Sequence, residues 1–407
     1  MTEPTAPPPP ELPESAPSLA ARFALYQRAG GVITPLLTAI LAFFIGGLVV
    51  LVTTGKNPLS TYRAIFDGTG LNWLFPWVQG AERDAAAQDL QQTLIVTTTL
   101  ILAGIAVAFA FRCGLFNIGG QGQYIAGMIT AAQFGIWLPD LPHIPHVVLA
   151  AGAGAVAGAA WGGIAGILKA TVGAHEVIST IMLNWIALWI GTYLVGFGGP
   201  LQDPAQEFVP VTEEVSQSAK LDVFCGDPVQ QGLHIGFFIA VGALFVFWIV
   251  LNRTTLGYQV RAVGFNPEAA RYGGISVGRN YFLAMAISGA FAGLAGGVDI
   301  LGWLFRVDQT SVQISSQIAF IGIAVALLGR NTPIGIFFAA LLFGALQNGT
   351  STRNLDPSVF QPELAGNLAL IIQGLVVLFV GADLLILYLW QARRKLSRKP
   401  PKPAVEA

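Results

Sequence analysis

The sequence predicts an all-α polytopic membrane protein with about ten transmembrane helices, counted at roughly 20 apolar residues per span. Three observations carry that prediction. First, only 11% of the 407 residues are charged and 54% are hydrophobic, whereas an average soluble domain carries about 25% charge. Second, the mean hydropathy is +0.64 and there are 48 glycines, a residue commoner in membrane helices than in soluble ones. Third, the Lys and Arg residues sort between the two sides of the helices. The composition excludes a soluble enzyme, and it excludes a disordered chain, which needs low hydrophobicity. A net charge of −1 gives no footing for nucleic acid. Two cysteines, Cys113 and Cys225, are too few for a disulfide framework or a multi-cysteine metal cluster.

Apolar stretches fall at 33–53, 92–111, 116–138, 146–168, 177–198, 233–252, 281–302, 314–329, 332–349 and 364–389. The eighth and ninth are short and separated only by Gly329–Pro333, so they read either as spans or as a re-entrant pair. With the N-terminus inside, fifteen of the 21 basic residues lie on the cytoplasmic side, the positive-inside pattern. Lys56, Arg63, Arg83, Lys220, Arg306 and Arg353 remain outside. Both termini are then cytoplasmic.

Residues 1–28 hold the run Pro7–Pro10 and no periodic apolar face, and are expected to form a disordered cytoplasmic tail. No basic segment precedes the first apolar run, so no removed signal peptide is expected. The membrane domain covers 29–392, and 393–407 is a basic cytoplasmic tail suited to the anionic leaflet. The outer loops are 54–91 and the acidic 199–232, and the sizeable inner loop is 253–280.

Two glycine series keep a four-residue step, Gly154, Gly158, Gly162 and Gly166, and then Gly289, Gly293 and Gly297. Such a stripe lets helix backbones approach, either as static packing, the favoured reading, or as a moving interface. The third span opens on an unusual polar run. Asn117, Gln121, Gln123 and Tyr124 stand at a membrane entrance, where polar groups must find partners or line water. Asn184 extends the polar stripe Glu176, Thr180 and Asn184 on the fifth span. These five, Asn117, Gln121, Gln123, Tyr124 and Asn184, are candidates for a solute pathway, with interhelical hydrogen bonding as the alternative. Glu176 reads as a helix cap. Asp299 and Asp383 stand near helix ends without a clear basic partner. The scarcity of ionisable groups at mid-membrane argues against an ion-coupled carrier. His143 and His146 read as solvated loop histidines, and no metal site is expected. No phosphate loop, nucleophile elbow or zinc-protease motif occurs in the sequence, so no catalytic activity is expected of this chain.

The most specific stretch is 256–275. Asn266-Pro267 is a helix start, Asn as cap and Pro at the first position. Glu268 complements the dipole of the short helix that runs to Tyr272, and Gly273-Gly274 ends it. A short helix with both a start and a stop signal, held between two long spans, reads as a contact for another protein.

Here the chain resembles the inner-membrane permease subunits of ABC importers of the branched-chain amino acid, ribose and nucleoside group. The pattern is met by Gly257, Arg261, Ala262, Gly264, Asn266, Ala269, Ala270, Gly274 and Ile275. Phe116–Gln123 with Glu176–Asn184 resembles the nucleoside permeases in particular, and Ala326–Gly335 resembles the group's late turn. The resemblance covers about residues 33–390. It implies a type II-like permease of two related halves in the bacterial inner membrane. It also implies that 253–280 couples to an ATP-binding subunit through Arg261, Gly264, Asn266, Pro267, Glu268, Ala269, Ala270, Tyr272, Gly274 and Ile275. The ATP would be bound by that partner, and this chain would need no cofactor. A second permease in a heterodimer and an extracytoplasmic solute-binding protein or lipoprotein are the other implied partners, besides membrane lipid. The implied solute is a nucleoside, with ribose-like sugars or branched-chain amino acids as rivals. A stand-alone carrier or channel, or a membrane assembly protein without transport, would lack the need for a coupling loop.

Overall fold

A computed structural model describes residue 36 and residues 39–227, 231–351 and 362–381. The tails 1–28 and 393–407, Arg353 and Asp383 lie outside the described residues. The described chain is mostly helical: α1 Ala39–Thr54, then α2 Pro58–Gly68, α3 Ala81–Arg112, α4 Gly120–Trp137, α5 His143–Val172 and α6 Glu176–Val195. A two-stranded antiparallel hairpin follows, β1 Val223–Cys225 and β2 Leu233–His234. Next come α7 Gly236–Arg253, α8 Thr255–Phe265, α9 Pro267–Tyr272, α10 Val277–Asp299, α11 Gln309–Leu328, α12 Pro333–Gly349 and α13 Pro362–Gly381.

Five helices are long and apolar enough to cross a membrane: α3, α5, α6, α7, and α10 with its π-helical continuation to Leu304. α12 and Gly366–Val376 are shorter apolar helices. The molecule is a polytopic helical membrane protein.

Several boundaries differ from the sequence reading, each for a local reason. The stretch 54–91 is not a plain loop. α1 and α2 meet at 114°, a 3-10 turn covers Leu71–Leu74, and α3 starts ten residues or so before the apolar run. Hydropathy misses these parts because they are amphipathic rather than apolar. The third span begins at Gly120, not at 116. The Asn117 Oδ1 accepts the Gly119 N–H at 2.8 Å, a side-chain turn that competes with helix. The inner loop 253–280 is largely helical as well, because Thr254 caps α8 by accepting the Gly257 N–H.

The glycine stripes put α10 into the groove between α5 and α4. A Cβ added at Gly158 or Gly293 would overlap the backbone of the facing helix, at Gly289 and Gly154 respectively. Gly127 of α4 meets Gly293 in the same way. Backbones this close exclude any side chain from the seam, which accords with the packing reading of the stripes.

At the end of the bundle carrying 199–234, the connection is fastened to the segment after α10. Thr212, Val215 and Leu221 each donate a backbone hydrogen bond to Val307, Phe305 and Leu301. Glu214 pairs with Lys220 at 2.6 Å and Arg306 at 3.1 Å. The acidic character of this segment is therefore partly consumed internally. Hydrogen bonds from Lys220 and Arg306 hold the Glu214 carboxyl below its ordinary range. A depressed carboxylate stabilises the fold above its unfolded pKa, and that contribution is lost as pH falls through the folded value. Hydrogen exchange at the 199–222 backbone should therefore speed up on acidification below about pH 4 relative to the intrinsic rate. Equal protection across that range in wild type would contradict the ion cluster's role.

His143 and His146 are not solvated loop residues. His143 lies 2.9 Å from Asp222. His146 is fully buried, bonded to Ser218 Oγ and the Phe134 carbonyl. They tie the start of α5 to the same connection. Cys113 is buried and Cys225 exposed, and both are free thiols.

Candidate functional site

Two regions gather the residues singled out in the sequence. The first lies where α4 begins. Cys113 is 3.8 Å from the Asn280 carbonyl, and Asn117 reaches Ser288 at 2.7 Å. The non-helical run 115–118 thus climbs about two turns of α10. Asn117 donates to Gln123 Oε1 at 2.9 Å and accepts from Gln123 Nε2 at 3.1 Å. Ser288 passes the chain of bonds on to the Ala106 carbonyl of α3. From α6, Asn184 accepts the Gly122 N–H at 2.9 Å and donates to the Ile118 carbonyl at 2.8 Å. Asn117, Gln123 and Asn184 are thus joined to one knot that fastens α3, α4, α6 and α10.

Tyr124, the next residue of α4 after Gln123, donates to Asp299 Oδ2 at 2.7 Å. Thr99 of α3 donates to the other carboxylate oxygen. Asp299 is completely buried, so its partners are two hydroxyls rather than a cation. Gln121 is buried beside the knot and makes no side-chain hydrogen bond to a described residue. Thr180 bonds within its own helix. Glu176 stands in the first turn of α6, where its charge complements the dipole. It also pairs with Lys169 across the α5–α6 turn at 2.8 Å.

The knot makes a prediction. Asn117→Ala strands buried groups on Gln123, Ser288 and Gly119, at about 1–3 kcal/mol for each unsatisfied group. The detergent-purified variant should melt several degrees below wild type. An unchanged melting temperature would mean that water replaces the amide.

The second region is α8–α9. Asn266 Oδ1 accepts the N–H groups of Glu268 and Ala269 at 3.0 and 3.1 Å. Pro267 fills the first helical position and Gly274 takes φ +78° beyond the end. The cap and stop signals read in the sequence are both present. Gly264 touches the backbone of Arg112–Gly114, where a Cβ would not fit. Arg112 in turn donates to the Asn331 carbonyl at 2.7 Å. α8 is thereby seated on the turn after α3, which is tied to the α11–α12 turn.

The two faces of the segment differ. Ala270 is buried and Ile275 half-buried, and the Ile275 N–H closes onto the Ala270 carbonyl. Ala269, Glu268 and Gly274 are exposed, and Glu268 forms an exposed pair with Arg271 at 3.3 Å. Arg261 is half-buried and turns back to the Gly257 carbonyl. Tyr272 is 94% exposed and Phe265 91%. Sequence reasoning did not single out Phe265 as an exposed ring of this segment. Its signal was its place directly before the Asn266 cap, at the corner where the two helices part.

A helical bundle with five helices long and apolar enough to cross a membrane, a polar knot at a helix break and a capped pair of helices at one end define a membrane protein of the permease class. Residues 90–381 match the family described as branched-chain amino acid transport system / permease component, and the chain belongs to it. It is 34% identical to the nucleoside ABC transporter permease NupB of Lactococcus lactis, over 87% of this chain and 92% of that one. It is also 34% identical to the guanosine ABC transporter permease NupP of Bacillus subtilis, over 91% and 99%. The glucose ABC transporter permease TsgB13 of Haloferax volcanii is 33% identical, over 85% and 86%. The first two organisms each contribute a second, more distant relative, the permeases NupC and NupQ, at 27% and 29% identity. No solved structure matches the chain.

Proposed function

We propose that this chain is a non-catalytic permease subunit of an ATP-driven nucleoside importer in the bacterial inner membrane. The observation that carries the reading is the α8–α9 unit. Its inner side is locked to the turns after α3 and α11, while Phe265 and Tyr272 stand clear of the protein. A rigid pair of helices that presents bare rings suits docking by another subunit, because aromatic side chains dominate the energetics of interfaces. An ATP-binding subunit is the partner. Its closure moves α8–α9, and the locked side passes the movement to α3 and the α11–α12 turn.

Two relatives are named for nucleosides or guanosine, which supports the solute. The paired permeases in those organisms support a heterodimer with a second, different permease. About ten spans in a type II-like arrangement complete the proposal, with both termini and α8–α9 cytoplasmic and a solute-binding protein on the opposite face. Asn117, Gln121, Gln123, Tyr124 and Asn184 form the wall of the pathway. In the described conformation Asn117, Gln123 and Asn184 hold it closed. A sugar is the second reading of the solute, favoured by the glucose relative.

Uptake of labelled guanosine, uridine, ribose, glucose and leucine in a strain lacking the chain tests the reading. Loss of guanosine and uridine uptake alone is expected. Loss of sugar or leucine uptake with nucleoside uptake intact would overturn the assigned solute.

A further inference from the structure

The end of the bundle opposite α8–α9 carries a hollow of about 650 Å³ between α2, the 3-10 turn and the start of α3. That lies within the range of small-molecule sites, roughly 300–1,000 Å³. Its parts are fixed before any ligand arrives. Thr93 of α3 donates to the Thr69 carbonyl at 2.7 Å. Asn348 of α12 donates to the Asp89 carbonyl at 2.9 Å. Gly70, at φ +73°, lies directly on the α3 backbone at Leu90.

One wall is aromatic. Phe75 and Trp77 stack at 4.5 Å between centroids, with Phe66 tilted against Phe75 at 6.1 Å. Carboxylates line the hollow as well. The side chains of Asp67 and Glu82 line the hollow with no side-chain hydrogen bond or salt bridge to a described residue, beside a single cation, Arg63. Asn72 lines it too, and its Oδ1 is buried without a hydrogen-bond partner. Free acceptors outnumber donors, so the complement is a neutral solute rich in hydroxyl or amine donors with one flat face. An anionic lipid headgroup would meet the wrong charge.

We infer that this hollow is a nucleoside-binding site on the receiving face of the permease, an inference that rests on the nucleoside reading above. The base stacks on the Phe75–Trp77 wall, as bases do on aromatic side chains without regard to sequence. The ribose diol donates to Asp67 and Glu82, the way an acidic residue holds ribose hydroxyls in dinucleotide sites. Arg63 and the Asn72 amide group face the remaining edge of the solute.

The test uses membrane vesicles holding the complete importer, with guanosine and 2′,3′-dideoxyguanosine as solutes. Wild type should prefer guanosine. The isosteric pair Asp67→Asn with Glu82→Gln should erase that preference. Trp77→Ala should raise the half-saturating concentration for both solutes about tenfold, the order expected for one lost stack, and Trp77→Phe should restore it. Wild-type half-saturation and diol preference in all of these variants would overturn the site while leaving the importer reading intact. A wild-type complex that takes up no nucleoside would overturn both.

Discussion

Replacing Phe265 and Tyr272 together with alanine is expected to abolish ATP-driven uptake while the chain still folds and inserts. Both rings are almost fully exposed and touch nothing that the helices need for their own packing. Buried aromatic anchors at interfaces are each worth about 2 kcal/mol or more. The loss of two weakens docking by roughly a thousandfold. The purified variant should keep the wild-type melting temperature and fail to co-purify with the ATP-binding subunit. Ala269→Glu should act in the same way, because Ala269 lies on the exposed face. Ala270→Glu is a different experiment. Ala270 is buried, so a charge there disrupts α9 itself and should lower the melting temperature. If the Phe265 and Tyr272 variant still co-purifies and transports, α8–α9 is not the docking surface.

The second large effect concerns the seam between α5 and α10. Gly293→Leu places a branched side chain where even a Cβ would overlap the backbone of Gly154 and Gly158. Overpacking typically costs about 1–3 kcal/mol where side chains can shift, and here the obstacle is backbone. The helices must part along their length, and with them the contacts of Gly127 and Gly289. The variant should be lost as aggregate on extraction. Gly152→Leu on the facing helix α5 is the control, since no atom lies within 4 Å of a Cβ there. Equal yield and melting temperature for the two variants would show the seam to be loose.

Much of this was legible in the sequence because the signals are local. The Asn266-Pro267 cap, the Gly273-Gly274 stop and the four-residue glycine steps depend only on neighbours in the chain, and each appears where it was read. What was not legible depends on partners distant in sequence. Asp299 had no basic neighbour to predict its fate, and its partners are Thr99 and Tyr124 on two other helices. The amides of Asn117, Gln123 and Asn184 read equally well as wall or as glue, and only the bonds of Asn117 with Gln123 and of Asn184 with the Gly122 and Ile118 backbone show how many acceptors are already used. The hollow beside α2 was invisible because 54–91 is amphipathic, and apolar periodicity at 20-residue scale passes over short surface helices.

This permease is expected to move nucleosides only when driven by a docked ATPase. Proteoliposomes measure it most directly. Vesicles holding the chain with its second permease, its ATP-binding subunits and the binding protein should accumulate labelled guanosine with ATP. Vesicles holding this chain alone should not, with ATP or with an imposed proton or sodium gradient. Guanosine accumulation by the single chain under an ion gradient would contradict the account.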